Sequence, residues 1–151
     1  MDRAKIIDDT IQVININRDG KFFEKVSRIE AKSEVNKLEV QLDVNTDIYP
    51  MEKDAYYAMC IASSINTDGS EEFDIFRYQS EGSVAGPDGQ GSLLDQYEYV
   101  MHGKVFKYTI DNDKISVFIS YGGLLMSLTG GLKELKNLEI DSRVYLLMKK
   151  I

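Results

Sequence analysis

The sequence has little of what covalent cross-linking and side-chain catalysis require. In 151 residues it contains one cysteine, Cys60, and one histidine, His102, with no tryptophan and two prolines. A single cysteine cannot form an internal disulfide, and it supplies too few thiolates for a structural zinc site. The composition therefore favours a reducing cytosolic or nuclear compartment over secretion.

Long apolar runs are also absent. No stretch approaches the roughly 18 uncharged apolar residues that a membrane helix needs, and the opening residues MDRAKIIDD lack the apolar run of a signal peptide. We therefore expect no membrane partner. Hydrophobic residues make up 43% and charged residues 28% of the chain, the balance of an ordinary globular domain. We expect one domain over residues 1–151, because one core serves a chain of this length.

Positive charge is scarce, and the formal net charge is −7. Between residues 66 and 99, eight acidic residues stand against Arg77 alone, so this segment accounts for the whole excess. Phosphate binding depends on Lys and Arg, so the balance argues against a general affinity for nucleic acid. If single-stranded nucleic acid binds weakly and without specificity, we expect it on one basic stripe. The stripe consists of Arg18, Lys21, Lys25 and Arg28.

The remaining pattern is that of short β-strands. Apolar and polar residues alternate from Leu38 to Asn45, which predicts a strand with one buried face and one wet face. Segment 11–16 is rich in β-branched residues and is predicted to form a hairpin with segment 23–32. The other predicted strands are 55–63, 97–109, 114–121, 124–129 and 143–150. Eight short strands with glycine punctuation predict an all-β barrel or sandwich.

Three features interrupt the strands. Residues 64–95 are acidic, glycine-rich and without a period, and are predicted to form a long flexible loop within the single domain. Gly122-Gly123 predicts either a two-residue hairpin turn or a bulge within one bent strand. Leucines at 132, 135 and 138 recur at helical spacing and predict one or two helical turns.

The sequence offers no constellation for chemistry. Catalysis needs a positioned acid, base or nucleophile, but the strand neighbours of His102 on its own face are Val100, Lys104 and Phe106. Cys60 stands among apolar residues and is expected to be a buried small hydrophobe. We therefore predict no catalytic residue, no metal site, no cofactor and no small-molecule substrate.

Seven short sequence motifs carry a family resemblance. They are Val26–Glu30, Leu42–Asn45, Ile48–Pro50, Ile61–Ser64, Tyr97–Lys104, Ser120–Met126 and Asp141–Lys150. In their order and spacing they resemble the eighth subunit shared by nuclear RNA polymerases I, II and III. The resemblance implies an eight-stranded antiparallel barrel related to the OB-fold, with a long loop between its halves. It also implies a non-catalytic nuclear subunit of DNA-templated transcription, held mainly by the largest subunit. The chain departs from the family at His102, commonly tyrosine, and at Ser127, commonly basic.

The leading hypothesis places the contact with the largest subunit on one apolar, glycine-rich run. That run consists of Tyr121, Gly122, Gly123, Leu124, Leu125 and Met126. It is longer in apolar residues than a half-exposed strand requires, and apolar patches often mark interfaces. The competing explanation is that Leu124, Met126 and Leu128 fill the barrel, which leaves Leu125 pointing outward. The alternative function is a free-standing OB-type module for single-stranded nucleic acid, suggested by the barrel, the aromatic residues and the basic stripe.

Overall fold

The structure, a computed structural model, describes residues 5–20, 24–64 and 96–151, and within these ranges eight antiparallel strands close into a barrel. The strands are β1 (Lys5–Ile16), β2 (Val26–Ser33), β3 (Glu39–Asn45), β4 (Tyr56–Ala62), β5 (Tyr99–Asp111), β6 (Lys114–Tyr121), β7 (Leu124–Gly130) and β8 (Arg143–Lys150). Their order around the barrel is β1-β2-β3-β7-β6-β5-β8-β4, and β4 pairs with β1. Closure pairs every strand on both sides and so protects the edges from pairing with other chains.

Two three-stranded meanders make up most of the wall. One is β1-β2-β3 and the other is β5-β6-β7; they meet where β3 pairs with β7, while β4 and β8 fill the remaining gap. The predicted eight-stranded antiparallel barrel is thereby confirmed. The predicted flexible loop at 64–95 lies outside the described residues except for Ser64, which is buried.

The inner faces of the strands form one hydrophobic core. In and just before β3, the predicted alternation is correct, because Leu38, Val40, Leu42 and Val44 are all buried. The largest fully buried side chains are Tyr57, Ile11, Ile29, Leu38, Leu42, Met59, Ile61, Ile119, Met126 and Leu128. Each such side chain stabilises the fold by roughly 1.5–3 kcal/mol through burial, which offsets part of the entropy lost on folding.

Some strand boundaries differ from the prediction. The first strand begins at Lys5, whereas the prediction began at residue 11. The prediction missed the earlier residues because Asp9, a polar residue, occupies an inward position and interrupts the apolar pattern. The second is Val26–Ser33 rather than 23–32, and the fifth is Tyr99–Asp111 rather than 97–109.

β-Bulges in the strands also shift the pattern. The β1–β2 register shifts at Ile14 and the β5–β6 register shifts at Phe106, so each of these residues is one extra residue in its strand. Tertiary pairing causes these shifts, so the local period of two does not report them.

Strands β4 and β8 are buried on both faces. Five consecutive residues of β8, from Val144 to Met148, are buried, and Cys60 of β4 has no exposed surface. Cys60, Tyr145 and Leu147 form a second apolar cluster against Tyr97, separate from the main core. The predicted strand at 55–63 is present as β4, and the expectation that Cys60 is a buried small hydrophobe is confirmed.

The segment before β8 contains a short helix, α1 (Leu132–Leu135). Leu135 and Leu138 are fully buried and join the core, whereas Leu132 is 60% exposed. The predicted helical turn is therefore present. Across the described part of the chain, no helix combines the length and apolarity that crossing a membrane requires.

Candidate docking surface

A tight turn joins β6 to β7. Gly122 and Gly123 have φ angles of 62° and 99°, and Tyr121 pairs directly with Leu124 across the turn. Positive φ at both central residues is the geometry of a two-residue hairpin turn whose twist matches the strands, and glycine adopts it without a Cβ penalty. The hydroxyl of Ser120 accepts the Gly123 N–H at 3.2 Å. Of the two sequence-based alternatives, the hairpin is correct and the bulge is not.

The strand after this turn alternates as the sequence predicts. Met126 and Leu128 are at most 1% exposed and fill the barrel, and Leu124 is half-buried against the core. Leu125 points the other way and is 42% exposed. An apolar side chain of this size, presented beside a turn of two glycines, is available to another protein surface.

The six residues predicted to bind a partner therefore divide into two groups. Tyr121 is 4% exposed, its hydroxyl donates to the Met126 sulfur at 3.4 Å, and burial raises the pKa of this tyrosine above its ordinary value. These two residues support the hairpin from inside. Gly122, Gly123 and Leu125 are exposed, whereas Leu124 is half-buried against the core, so three of the six predicted residues remain candidates for the contact.

A carboxylate fixes the backbone of Leu125. Asp43, on β3, accepts the Leu125 N–H at 3.1 Å and two hydrogen bonds from the Arg28 guanidinium, at 2.8 and 3.2 Å. Its side chain is 11% exposed, so the ion pair is shielded from water and two-pronged, unlike an ordinary surface pair. Asp43 thus connects β2, β3 and β7 at one point.

The alternation of polar and apolar residues predicts that Asp43 lies on the solvent face of its strand, and it does not predict this role. Asp43 does point outward, but Arg28 and Leu125 cover it, so it is 8% exposed. A usable signal was charge complementarity in the hairpin register, because Arg28 pairs with Asp43 and Lys32 with Glu39.

Hydrogen bonds also fix the start of β2. Asn17 accepts the Arg28 N–H at 2.9 Å and donates to the Ser27 hydroxyl at 3.1 Å, which in turn bonds to the Thr46 hydroxyl at 2.9 Å. Arg28 is therefore positioned from its backbone as well as from its guanidinium. We call Arg28, Gly122, Gly123 and Leu125, with Asp43 beneath them, the docking patch.

Strand β5 passes close behind the hairpin. A Cβ atom added to Gly103 would overlap the backbone carbonyl oxygen of Ser120 and the ring of Tyr121. Only glycine permits this approach, so the residue directly before the turn is fixed by close packing.

The basic stripe shares Arg28 with the docking patch, and its charges are partly compensated. Arg28 is paired with Asp43, and Arg18 lies 3.5 Å from Glu30. Lys25 is exposed, and Lys21 lies outside the described residues. The stripe stays a prediction, but two of its four cations face carboxylates of the chain itself.

Glu98 and Tyr49, two titratable groups with shifted pKa values, share structural hydrogen bonds. The Lys150 N–H and the Tyr49 hydroxyl both donate to Glu98, at 2.8 Å each, and lower the pKa of that carboxyl. Burial, followed by the bond to Glu98, raises the pKa of Tyr49. The ring of His102 packs on Tyr145 at 4.5 Å. In the ranges that the structure describes, no group of three or more His, Cys, Asp or Glu side chains could hold a metal ion.

Comparison with known families matches residues 8–150 to the model described as RNA polymerase Rpb8. The chain belongs to this family. The match covers β1 from residue 8 onward, the other seven strands and every residue of the docking patch, so the family resemblance drawn from the sequence motifs is confirmed.

Curated relatives span nearly the same length. One from Dictyostelium discoideum, named DNA-directed RNA polymerases I, II, and III subunit rpabc3, is 42% identical over 147 residues, 96% of each chain. One from Schizosaccharomyces pombe, of the same polymerases, is 33% identical over 151 residues, 99% of this chain and 100% of the relative. An Arabidopsis thaliana relative, 34% identical over 149 residues (97% and 96% of the two chains), is named for polymerases II, IV and V.

Three of the seven family motifs meet at the docking patch. Arg28 belongs to the first motif, Asp43 to the second and Leu125 to the sixth, and direct hydrogen bonds join the three residues. Residues that are up to 97 positions apart in the sequence thus form one surface. In this barrel the residues that carry the family resemblance also build the candidate site.

Proposed function

We propose that this chain is a non-catalytic subunit of nuclear RNA polymerases, and that it binds the largest subunit through the docking patch. Family membership and the names of the relatives support the assignment to polymerases. The observation that carries the docking proposal is the outward side chain of Leu125, 42% exposed on a backbone that Asp43 and two glycines hold in place.

A pre-positioned apolar anchor suits stable assembly. Interfaces bury a few apolar or aromatic anchors at their centre, surrounded by groups that exclude water. Here Leu125 would be the anchor, and Arg28, whose side chain is 39% exposed, would lie beside it. Because the hairpin is already ordered, little conformational entropy is lost when a partner covers it.

The chemistry of the described residues supports a role in assembly rather than catalysis. Asp9, Tyr49 and Glu98, whose pKa values are shifted, are all engaged in hydrogen bonds that hold loops and strand ends. A subunit of this kind contributes surface to a polymerase whose active centre lies in other subunits, and it acts in the nucleus.

The test is recovery with polymerase. A tagged chain is purified from the cells that produce it, as wild type, as Leu125→Asp and as Val35→Asp. Val35 is the matched control, because it is apolar, 77% exposed and located in the loop between β2 and β3, away from the patch. We expect wild type and Val35→Asp to retain the large subunits, and Leu125→Asp to retain about tenfold less, since a buried charge without a partner is costly.

Melting temperatures of the two variants, measured on the isolated chain, separate docking from folding. Both substitutions are at exposed positions, so both variants should melt within a few degrees of wild type. If a stable Leu125→Asp variant is recovered with polymerase as well as wild type is, the docking patch is not the anchor. Mass spectrometry of the wild-type sample reports which polymerases contain the chain, a point on which the names of the relatives differ.

A further inference from the structure

A groove of about 610 Å³ crosses the outer wall of the barrel over β1, β2, β3, β7 and β6. We call it the outer groove. Its lining includes Ile14, Arg18, Gln41, Phe118, Ser127 and Thr129. Part of the lining is made of small hydroxyl side chains on β6 and β7. The floor is polar, and the hydroxyls of Ser116 and Thr129 bond to each other at 2.7 Å.

Each end of the outer groove has an apolar side chain near a β-bulge. Ile14 is the extra residue of the bulge in β1 and is 44% exposed. At the other end, Phe118 lies 6.3 Å from the ring of Phe106, the extra residue of the bulge in β5, which is 45% exposed. Bulges redirect side chains and are frequent next to sites. Here each of the two bulges places an apolar side chain on the outer surface of the barrel.

The charged side chains that line the outer groove are two cations and two carboxylates, and the Lys107 ammonium lies 5.4 Å from the aromatic ring at one end. Arg18 lies 3.5 Å from Glu30, and Lys32 stands directly opposite Glu39 across β2 and β3. A polyanion binds through cations that are free to replace its counterions, and these cations already face carboxylates. An uncharged ligand with apolar groups at its ends fits the lining better.

The outer groove is continuous with the docking patch. On β7, Ser127 follows Leu125 by two residues, and on β3, Gln41 precedes Asp43 by two, so both pairs lie on the same outer face. From β1 to β6 there are four strand spacings, about 19 Å in all, which an extended chain of about six residues spans.

We infer that the outer groove binds an extended, uncharged peptide segment of the same polymerase partner, about six residues long, with an apolar side chain at each end. One would pack on Ile14 and the other on Phe118. This inference rests on the proposed function, since it takes the occupant from the partner that covers Leu125. It adds a second contact to the interface and states the chemistry of what fills it.

The first test is site-specific cross-linking in assembled polymerase. A photo-reactive amino acid replaces Ser127, Leu125 or, as a control, Val35, and the cross-linked peptides are identified by mass spectrometry. We expect the Ser127 position to join an uncharged segment of a large polymerase subunit and the Val35 position to join none.

The cross-linking outcomes separate the two proposals. A partner peptide at the Leu125 position with none at Ser127 overturns the groove inference and leaves the proposed function in place. Absence of the polymerase from both positions overturns both. A cross-link from Ser127 to nucleic acid overturns the peptide as occupant.

The second test removes the apolar ends. Ile14→Glu with Phe118→Glu should lower retention of the polymerase about a hundredfold, because two apolar contacts are lost and each contributes about a factor of ten. The control pair is Val35→Glu with Ile110→Glu, at positions 77% and 76% exposed and outside the groove lining. Equal retention by the two pairs would contradict the inference. If the first pair fails to fold, the cross-linking result decides.

Discussion

Two hairpins of the barrel wall lie side by side, since β3 pairs with β7, but they are stabilised differently. The loop of the β2–β3 hairpin depends on a carboxylate from another strand. Asp9, on β1, accepts the N–H groups of Val35 and Asn36 at 3.0 and 2.8 Å, and Ser33 accepts that of Leu38 at 2.8 Å. The backbone N–H groups of this loop are therefore hydrogen-bonded by side chains of the barrel itself.

The β6–β7 hairpin depends on backbone conformation instead. A Cβ atom added to Gly122 or Gly123 would have no atom within 4 Å, so the turn needs glycine for its positive φ angles and not for space. Its apolar side chain, Leu125, is left exposed. The β2–β3 loop is thus held by side-chain acceptors of the chain itself, whereas the β6–β7 hairpin leaves an apolar side chain on the surface, where we propose that a partner binds. Substitutions in the two should therefore affect different measurements.

The largest expected change in stability comes from Asp9→Ala. It leaves the N–H groups of Thr10, Val35 and Asn36 without their acceptor at a site where Asp9 itself is 7% exposed. We expect the free energy of unfolding to fall by about 3 kcal/mol, because three partly buried hydrogen bonds are lost and each contributes about 1 kcal/mol. Denaturant unfolding of the purified chain measures it.

The neighbouring Asp8→Ala is the matched control. Asp8 is exposed and makes a surface ion pair with Lys5 at 3.3 Å, a contact worth about 0.5 kcal/mol. Equal losses in the two variants would show that the carboxylate of Asp9 does not hold the loop. Asp9→Asn keeps one oxygen acceptor, should lose about half as much, and should still be recovered with polymerase once folded.

A smaller loss is expected from Gly122→Ala combined with Gly123→Ala. Both alanines would need φ angles that L-residues adopt at a cost of about 1 kcal/mol each, so we expect about 2 kcal/mol less stability in the same unfolding measurement. Gly122→Asn alone should cost under about 0.5 kcal/mol, because Asn-Gly suits this turn. An asparagine variant as unstable as the double alanine variant would argue against a purely conformational role.

Much of the barrel could be predicted from the sequence, because alternation reports which strand face is buried. It correctly placed Leu38 and Leu42 inside and Leu125 outside. It could not place Asp9 or Asp43. Both are polar and both are buried by partners that are distant in sequence: Asn36 lies 27 residues from Asp9, and Leu125 lies 82 residues from Asp43.

The candidate site could be predicted only in part, because its charged residues also have partners that are distant in sequence. The glycine-rich run pointed to Leu125 directly, but Arg28 was assigned to a separate basic stripe. A local sequence pattern shows which residues are charged but not which residues they pair with. Arg28, Asp43 and Leu125 come together only when β2, β3 and β7 are aligned in the sheet. The outer groove was missed because both flanking bulges interrupt the period of two.

The smallest expected effect is the pH dependence of the β2–β3 hairpin. Burial raises the pKa of Asp9, but the N–H donors of Asn36, Val35 and Thr10 outweigh it, and the pKa in the folded chain lies below 3.8. A lowered folded-state pKa adds stability that is fully present above about pH 4 and is lost as pH falls through the folded value. Stability measured from pH 7 to pH 2 should thus decline more steeply in wild type than in Asp9→Asn.

The two curves should be parallel above about pH 4 and approach each other below it, since protonated Asp9 can no longer accept all three bonds. Glu24→Gln, at an exposed position before β2, provides the control for general acid effects and should follow wild type. Parallel curves for Asp9→Asn and wild type over the whole range would mean that the hairpin does not depend on the ionised carboxylate. The contrast between the two hairpins would then lie in packing, and Leu38, buried at the end of the β2–β3 loop, would be the residue to truncate next.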